Sequence, residues 1–223
     1  MQQQRRKLLF LLPLMSVYSI GKAQIHPLDT VSVYLVPLDD FPEELAGAIA
    51  KSLQNNLSFR IKASVRLPPL NIATAPGTTQ LVSDDILLQA SKASSRLPEA
   101  TPTTYCVFLT TKDINSRSAN LRFLFSAHNK ALHCSVVSLA RLVEYAGERP
   151  VLTARSVSRI QKMTKRAIGE MHLGWKRSPD TNDIMYSPLM SLDELDKLGM
   201  DHAESRPEQA PGPIFPQSSP NAI

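Results

Sequence analysis

Val31–Leu38, VSVYLVPL, is eight residues without a charge, and nearly all of them are β-branched, aromatic or apolar. Such a run reads as a strand buried in a sheet, and a chain that carries one must cover it. FPEELAGAIAKSLQNN, which follows, supplies a cover. Leu45, Ala48, Ile49 and Leu53 recur at helical spacing, Pro42 suits a first turn, and Glu43 and Glu44 stand near the positive helix end. FRIKASVRLP alternates, with Phe59, Ile61, Ala63 and Val65 facing one way, which predicts a half-exposed strand. After the loop PPLNIATAPGTTQ comes a helix, DDILLQASKAS, with Ser83 as its expected cap. TTYCVFLTT, LRFLF and HCSVVSL read as three strands, the last two separated by the polar turn HNK.

From Val151 to Trp175 a long helical pattern runs. Val157, Ile160, Met163, Ala167 and Met171 trace one face, Arg155, Arg159, Lys162 and Arg166 another, and Gly174 is its stop. SPDTND is a turn-rich loop, and SLDELDKLG a short helix with Ser191 at the N-cap and Glu194 three residues on. The order β-α-β-α-β-β-β-α-loop-α predicts an α+β (mixed α/β) fold over residues 25–204, one domain with a twisted mixed sheet packed with helices.

The two ends differ from this core. MQQQRRK, LLFLLPLMSVYSI and GKAQ give a basic stretch, an apolar run and small residues before a polar start. That is the layout of a signal peptide over residues 1–24, with an uncleaved membrane anchor as the other reading. The expected location is therefore secreted or periplasmic, with no membrane span in the mature chain. Residues 205–223 are Pro-rich and expected to be disordered. Four of the 25 basic residues, Arg5, Arg6, Lys7 and Lys22, lie in the leader, so the rest carries 21 against 20 acidic residues. A net charge of +1 takes away most of the case for a nucleic-acid partner.

Cys106 and Cys134 are the chain's two cysteines, too few for a Cys-rich zinc site. In an exported chain they can form one disulfide, closing a loop of about 30 residues and stabilising by roughly 3–4 kcal/mol. Both sit in apolar runs, YCVFL and HCSVV, so a pair of buried free thiols is the competing reading.

LGWKRSPDTNDIMYSP, Leu173–Pro188, is similar to the matrixin-type tail of the metzincin metalloproteases, L-G-L-x-H-S followed by I-M-Y. The chain upstream resembles the archaemetzincins. VYLVPLDDFPEELAGAIAKSL is similar to their opening strand and first helix, YCVFLTTKDIN to their strand ending in a Thr-x-x-Asp-Ile turn, and CSVVSLARL to their S-x-x-R-L strand. The resemblance spans roughly residues 25–200 and rests on the order and spacing of these pieces. It implies a metzincin domain whose long central helix carries H-E-x-x-H-x-x-G-x-x-H. There three imidazoles hold zinc, the glutamate acts as general base, and a methionine turn forms the floor. The scaffold residues it implies here are Gly174, Met185 and Tyr186.

The zinc motif itself is degenerate. Anchoring on Gly174 puts the three ligand positions at Ala167, Met171 and Arg177 and the general base at Ile168. Anchoring on Gly169 instead puts the ligands at Arg166, Glu170 and Lys176, with Ala167 as base. The first register is preferred, because it keeps the glycine and leaves Arg177 eight residues before Met185. Neither supplies a histidine ligand, so no catalytic residue, metal ligand or cofactor is expected, zinc entering only if an unrecognised ligand set exists. No G-x-S-x-G motif and no Gly-rich phosphate loop is present. Three functions are open: an exported pseudoprotease with a binding or structural role toward a protein or peptide ligand, a working zinc peptidase with other ligands, and an interaction module. The last would use Arg155, Arg159, Lys162 and Arg166 as a face for an anionic partner, against the alternative of a solvated helix face.

Overall fold

The computed structural model describes residues 30–117 and 121–203. The expected signal peptide and the Pro-rich tail lie outside them.

The central sheet has five strands. β1 (Val33–Pro37) lies between β2 (Ile61–Ala63) and β4 (Tyr105–Thr110), and β7 (Cys134–Ser138) and β6 (Ser126–Asn129) extend it to the order β2-β1-β4-β7-β6. The first four are parallel and β6 is antiparallel to β7. Among the described residues two small pairs also form: β3 (Leu81–Val82) with β5 (Ile114–Asn115), and the exposed hairpin β8 (Glu144–Ala146) with β9 (Arg149–Val151).

β1, β4 and β7 are buried along their whole length because helices cover both faces. Val33, Leu35, Val107, Leu109 and Val137 pack toward helices α1 (Glu43–Gln54) and α3 (Ala154–Ile168). The alternate residues Tyr34, Val36, Phe108 and Val136 pack toward α2 (Ser83–Ser94). The expected mixed sheet packed with helices is thus the observed fold, in three layers. Among the described residues no helix is long and apolar enough to cross a membrane.

Three local expectations change. LRFLF is not a strand: regular pairing with β7 begins at Ser126, and Leu121–Phe125 instead line a cleft beside it. Ser83 is not a cap, because β3 runs directly into α2 and makes Ser83 the first helical residue. The expected disulfide is also absent. Cys106 and Cys134 are register partners on β4 and β7, yet both are free and buried. Each thiol turns into the layer beneath α2, where Cys106 meets the Ser94 hydroxyl and the Cys134 Sγ lies 3.9 Å from the Leu87 carbonyl. Burial pushes both thiols up, Cys134 to about 12, which keeps them protonated and inert.

Candidate functional site

Helix α3 crosses one face of the sheet and begins where Thr153 caps it, accepting from the Ser156 N–H. Its apolar side, including Ile160, Met163 and Ala167, joins the core. Its basic side is buried as well. Arg159 is 6% exposed and grips Asp196 of helix α4 (Leu192–Lys197) through two hydrogen bonds of 2.6 and 2.7 Å. Lys162 donates to the carbonyls of Leu195 and Asp196 at 3.0 and 2.8 Å, meeting carbonyls that the helix end leaves without partners. Arg166 donates to the carbonyls of Ile184 and Tyr186, the latter at 2.9 Å. Of the four, Arg155 alone is exposed, and it pairs with Glu144. The stripe expected to face solvent or an anionic partner is therefore covered by α4 and by the turn around Met185.

The helix then changes its winding. Gly169–Leu173 form a π-helical turn, which takes in one more residue than an α turn. Gly174 closes it in the left-handed conformation at φ 72°, as its expected role as helix stop requires. Gly169 is needed for a different reason: a Cβ there would stand 2.1 Å from the Trp175 ring, whose backbone N–H bonds back to the Gly169 carbonyl at 2.8 Å. Gly169→Ala is expected to push the indole outward. The methyl would raise helix propensity by about 1 kcal/mol, but overpacking costs about 1–3 kcal/mol, so stability should fall. Trp175 is the chain's one tryptophan, so its emission should shift to longer wavelength. Raised stability with unchanged emission would show that the ring does not depend on this glycine.

Beyond the bend the chain folds under the helix. Ser178 and Met185 bond at 3.0 Å, and Met185 is fully buried. The Asp183 carboxylate fixes this turn, accepting from the N–H groups of Met185 and Ala203 and meeting His202 Nδ1 at 2.8 Å. Burial works against its charge, but these hydrogen bonds outweigh it and hold its pKa below the usual value. Arg166 bonds the carbonyls on either side of Met185, so helix and turn are joined directly.

A cleft of about 620 Å³ opens between α3 and strand β6. Three side chains meet at its polar end. Arg166 and Glu170 stand at i and i+4 on one helix face, and Arg177 arrives from beyond Gly174 to hold the Glu170 carboxylate at 2.6 and 2.8 Å. Arg166 is 5% exposed, and among the described residues no carboxylate reaches it. Burial and the neighbouring Arg177 lower its pKa to about 10. His128 of β6 faces the same cleft, its Nδ1 bonded to the Ser135 hydroxyl at 2.5 Å and its Nε2 3.3 Å from Ser126 Oγ. Burial depresses its pKa; Glu170 opposes this while Arg177 and Arg166 add to it, so the imidazole is neutral near pH 7. Leu121, Phe123, Phe125, Met163, Leu189 and Met190 make the rest of the wall apolar.

Ala167 and Ile168 are buried in the core, where the Ala167 carbonyl accepts from the Tyr105 hydroxyl at 3.1 Å. Met171 packs against the same core. Of the four preferred positions only Arg177 reaches the cleft. Of the other register, Arg166 and Glu170 line the cleft, and the third residue, Lys176, does not. His128 was not singled out by the sequence, since nothing in its spacing ties it to the motif. His172 turns away from the cleft and packs on Phe59 and Tyr105. Among the described residues no three His, Cys, Asp or Glu side chains are grouped so that they could hold a metal ion.

No protein-family model and no curated protein matches the sequence. Solved structures do. Archaemetzincin from Methanopyrus kandleri is 20% identical, covering 78% of this chain and 90% of its own, with a TM-score of 0.60. A zinc-dependent peptidase from Methanocorpusculum labreanum is 19% identical, covering 78% and 97%, with a TM-score of 0.62. Archaemetzincin from Archaeoglobus fulgidus, complexed with malonate, is 21% identical, covering 78% and 96%, with a TM-score of 0.56. The fold is archaemetzincin-like.

Proposed function

We propose, with the archaemetzincin-like fold as premise, that this chain is a pseudopeptidase, which keeps a peptidase scaffold and cleft and uses them to bind peptides without cutting them. The observation that carries this reading is the Arg166–Glu170–Arg177 cluster. On this reading Arg166 and Glu170 hold the two ligand positions of the helix, Arg177 holds the third beyond the bend, and Ala167 stands where the general base would. The donor set does not suit zinc. Guanidinium groups are cations with no acceptor site, and the one carboxylate is already engaged by Arg177.

Peptide binding is supported by β6. Among the described residues it is one of the two edge strands of the sheet, and Ser126 and His128 line the cleft beside it. An unpaired strand edge can take an extended peptide as an added strand, and the apolar wall can receive its side chains. The likeness to a zinc-dependent peptidase is one of fold.

Metal analysis tests the loss of zinc. Protein loaded with zinc and then dialysed is expected to retain well under one equivalent per chain and to cleave no peptide. One tightly held zinc with chelator-sensitive cleavage would overturn the proposal in favour of a working peptidase.

A further inference from the structure

The polar end of the cleft is unbalanced. Arg166 and Arg177 bring two positive charges and Glu170 one negative, while Arg122 stands exposed at the cleft and adds a third cation. Arg166 carries the imbalance inside the protein, where it donates to two neutral carbonyls. A buried cation that no carboxylate bonds directly is costly, even with Glu170 and Asp183 acting on it through space, and an incoming anion would relieve that cost. Glu170 already shows what fits. Both oxygens of its carboxylate accept from the Arg177 Nη2, a charge-assisted contact that a ligand carboxylate could make in its place. It acts as an internal stand-in for a ligand carboxylate.

We infer that the cleft receives the C-terminal end of a peptide, with the terminal carboxylate on Arg177 and Arg166 and an apolar last side chain against Phe125, Met163 and Leu189. This rests on the peptide-binding reading above and names the part of the peptide that is recognised. The charge favours a carboxylate over an amide. The wall favours a terminus over an aspartate or glutamate side chain. In a C-terminal leucine or phenylalanine the carboxylate and the apolar group leave one carbon, so both ends of the cleft are met together. An acidic side chain would carry two polar peptide groups into the apolar part instead.

Octapeptides randomised at every position provide the probe, made once with free C-termini and once amidated. Each pool is captured on the immobilised protein and read by mass spectrometry. The free pool is expected to be enriched about tenfold over the amidated one, with leucine, isoleucine, phenylalanine or methionine last. Arg177→Leu should reduce capture to the amide level. Glu170→Gln removes the internal competitor and should raise capture several-fold. Equal capture of both pools would overturn the carboxylate claim and leave peptide binding standing. Selection of internal aspartate or glutamate from the amidated pool would overturn the terminus in favour of an acidic side chain. Capture of neither pool would sink peptide binding itself, and capture unaffected by Arg177→Leu would place recognition elsewhere.

Discussion

Changing Arg166, Glu170 and Arg177 together to histidine is expected to give a protein that binds one zinc per chain. The three side chains already line one cleft, and three imidazoles with an open fourth position suit zinc. The change has a cost before metal is added. The carbonyls of Ile184 and Tyr186 lose the Arg166 donor, at about 1–3 kcal/mol for each group left unsatisfied. The metal-free variant should therefore melt well below the parent, and zinc, bound with at most on the order of 10 kcal/mol, should restore it. The comparison variant is Ala167→His, Met171→His and Arg177→His. It drives an imidazole into the core at residue 167 and should fold poorly, with no stoichiometric zinc. Uptake by the second variant and not the first would refute the assignment of residues 166, 170 and 177.

Arg159→Ala should be far more damaging than Arg155→Ala on the basic side of α3. It leaves Asp196 without its two-bond partner and removes buried packing between α3 and α4. Breaking a fully buried ion pair costs about 3–5 kcal/mol. Asp196 keeps 27% of its side-chain surface exposed, so about 2–4 kcal/mol is expected here, a fall in melting temperature of about 10 °C. Arg155→Ala removes an exposed pair and should stay within about 0.5 kcal/mol of the parent. Thermal unfolding of the two variants decides between a buried stripe and a solvated one. Equal, small effects would mean that Arg159 is not held as described.

Much of the fold was legible because its signals are local. The uncharged runs of β1, β4 and β7 say that both sheet faces are covered, and the Ser191–Glu194 capping box forms as its spacing predicts. The candidate site was less legible because it depends on two non-local facts. Counting seven residues back from Gly174 assumes regular winding and lands on Ala167. The π turn inserts one residue between Glu170 and Gly174, so the cleft-facing position is Arg166. Nothing in GEMHL itself announces that winding, and the Trp175 ring that packs on Gly169 lies beyond the turn. The basic stripe misleads similarly. Arg159, Lys162 and Arg166 read as solvent-facing until α4 and the Met185 turn, some 18 to 37 residues further along, supply their acceptors.

The bond from Arg166 to both sides of Met185 also bears on how the domain holds together. Where a metal joins a helix to the loop beneath it, the junction is only as permanent as the supply of that metal. A guanidinium does not exchange with solvent, yields to no chelator, and even here keeps its proton up to a pH of about 10. On the proposed reading, the cleft can thus hold its shape in surroundings poor in zinc.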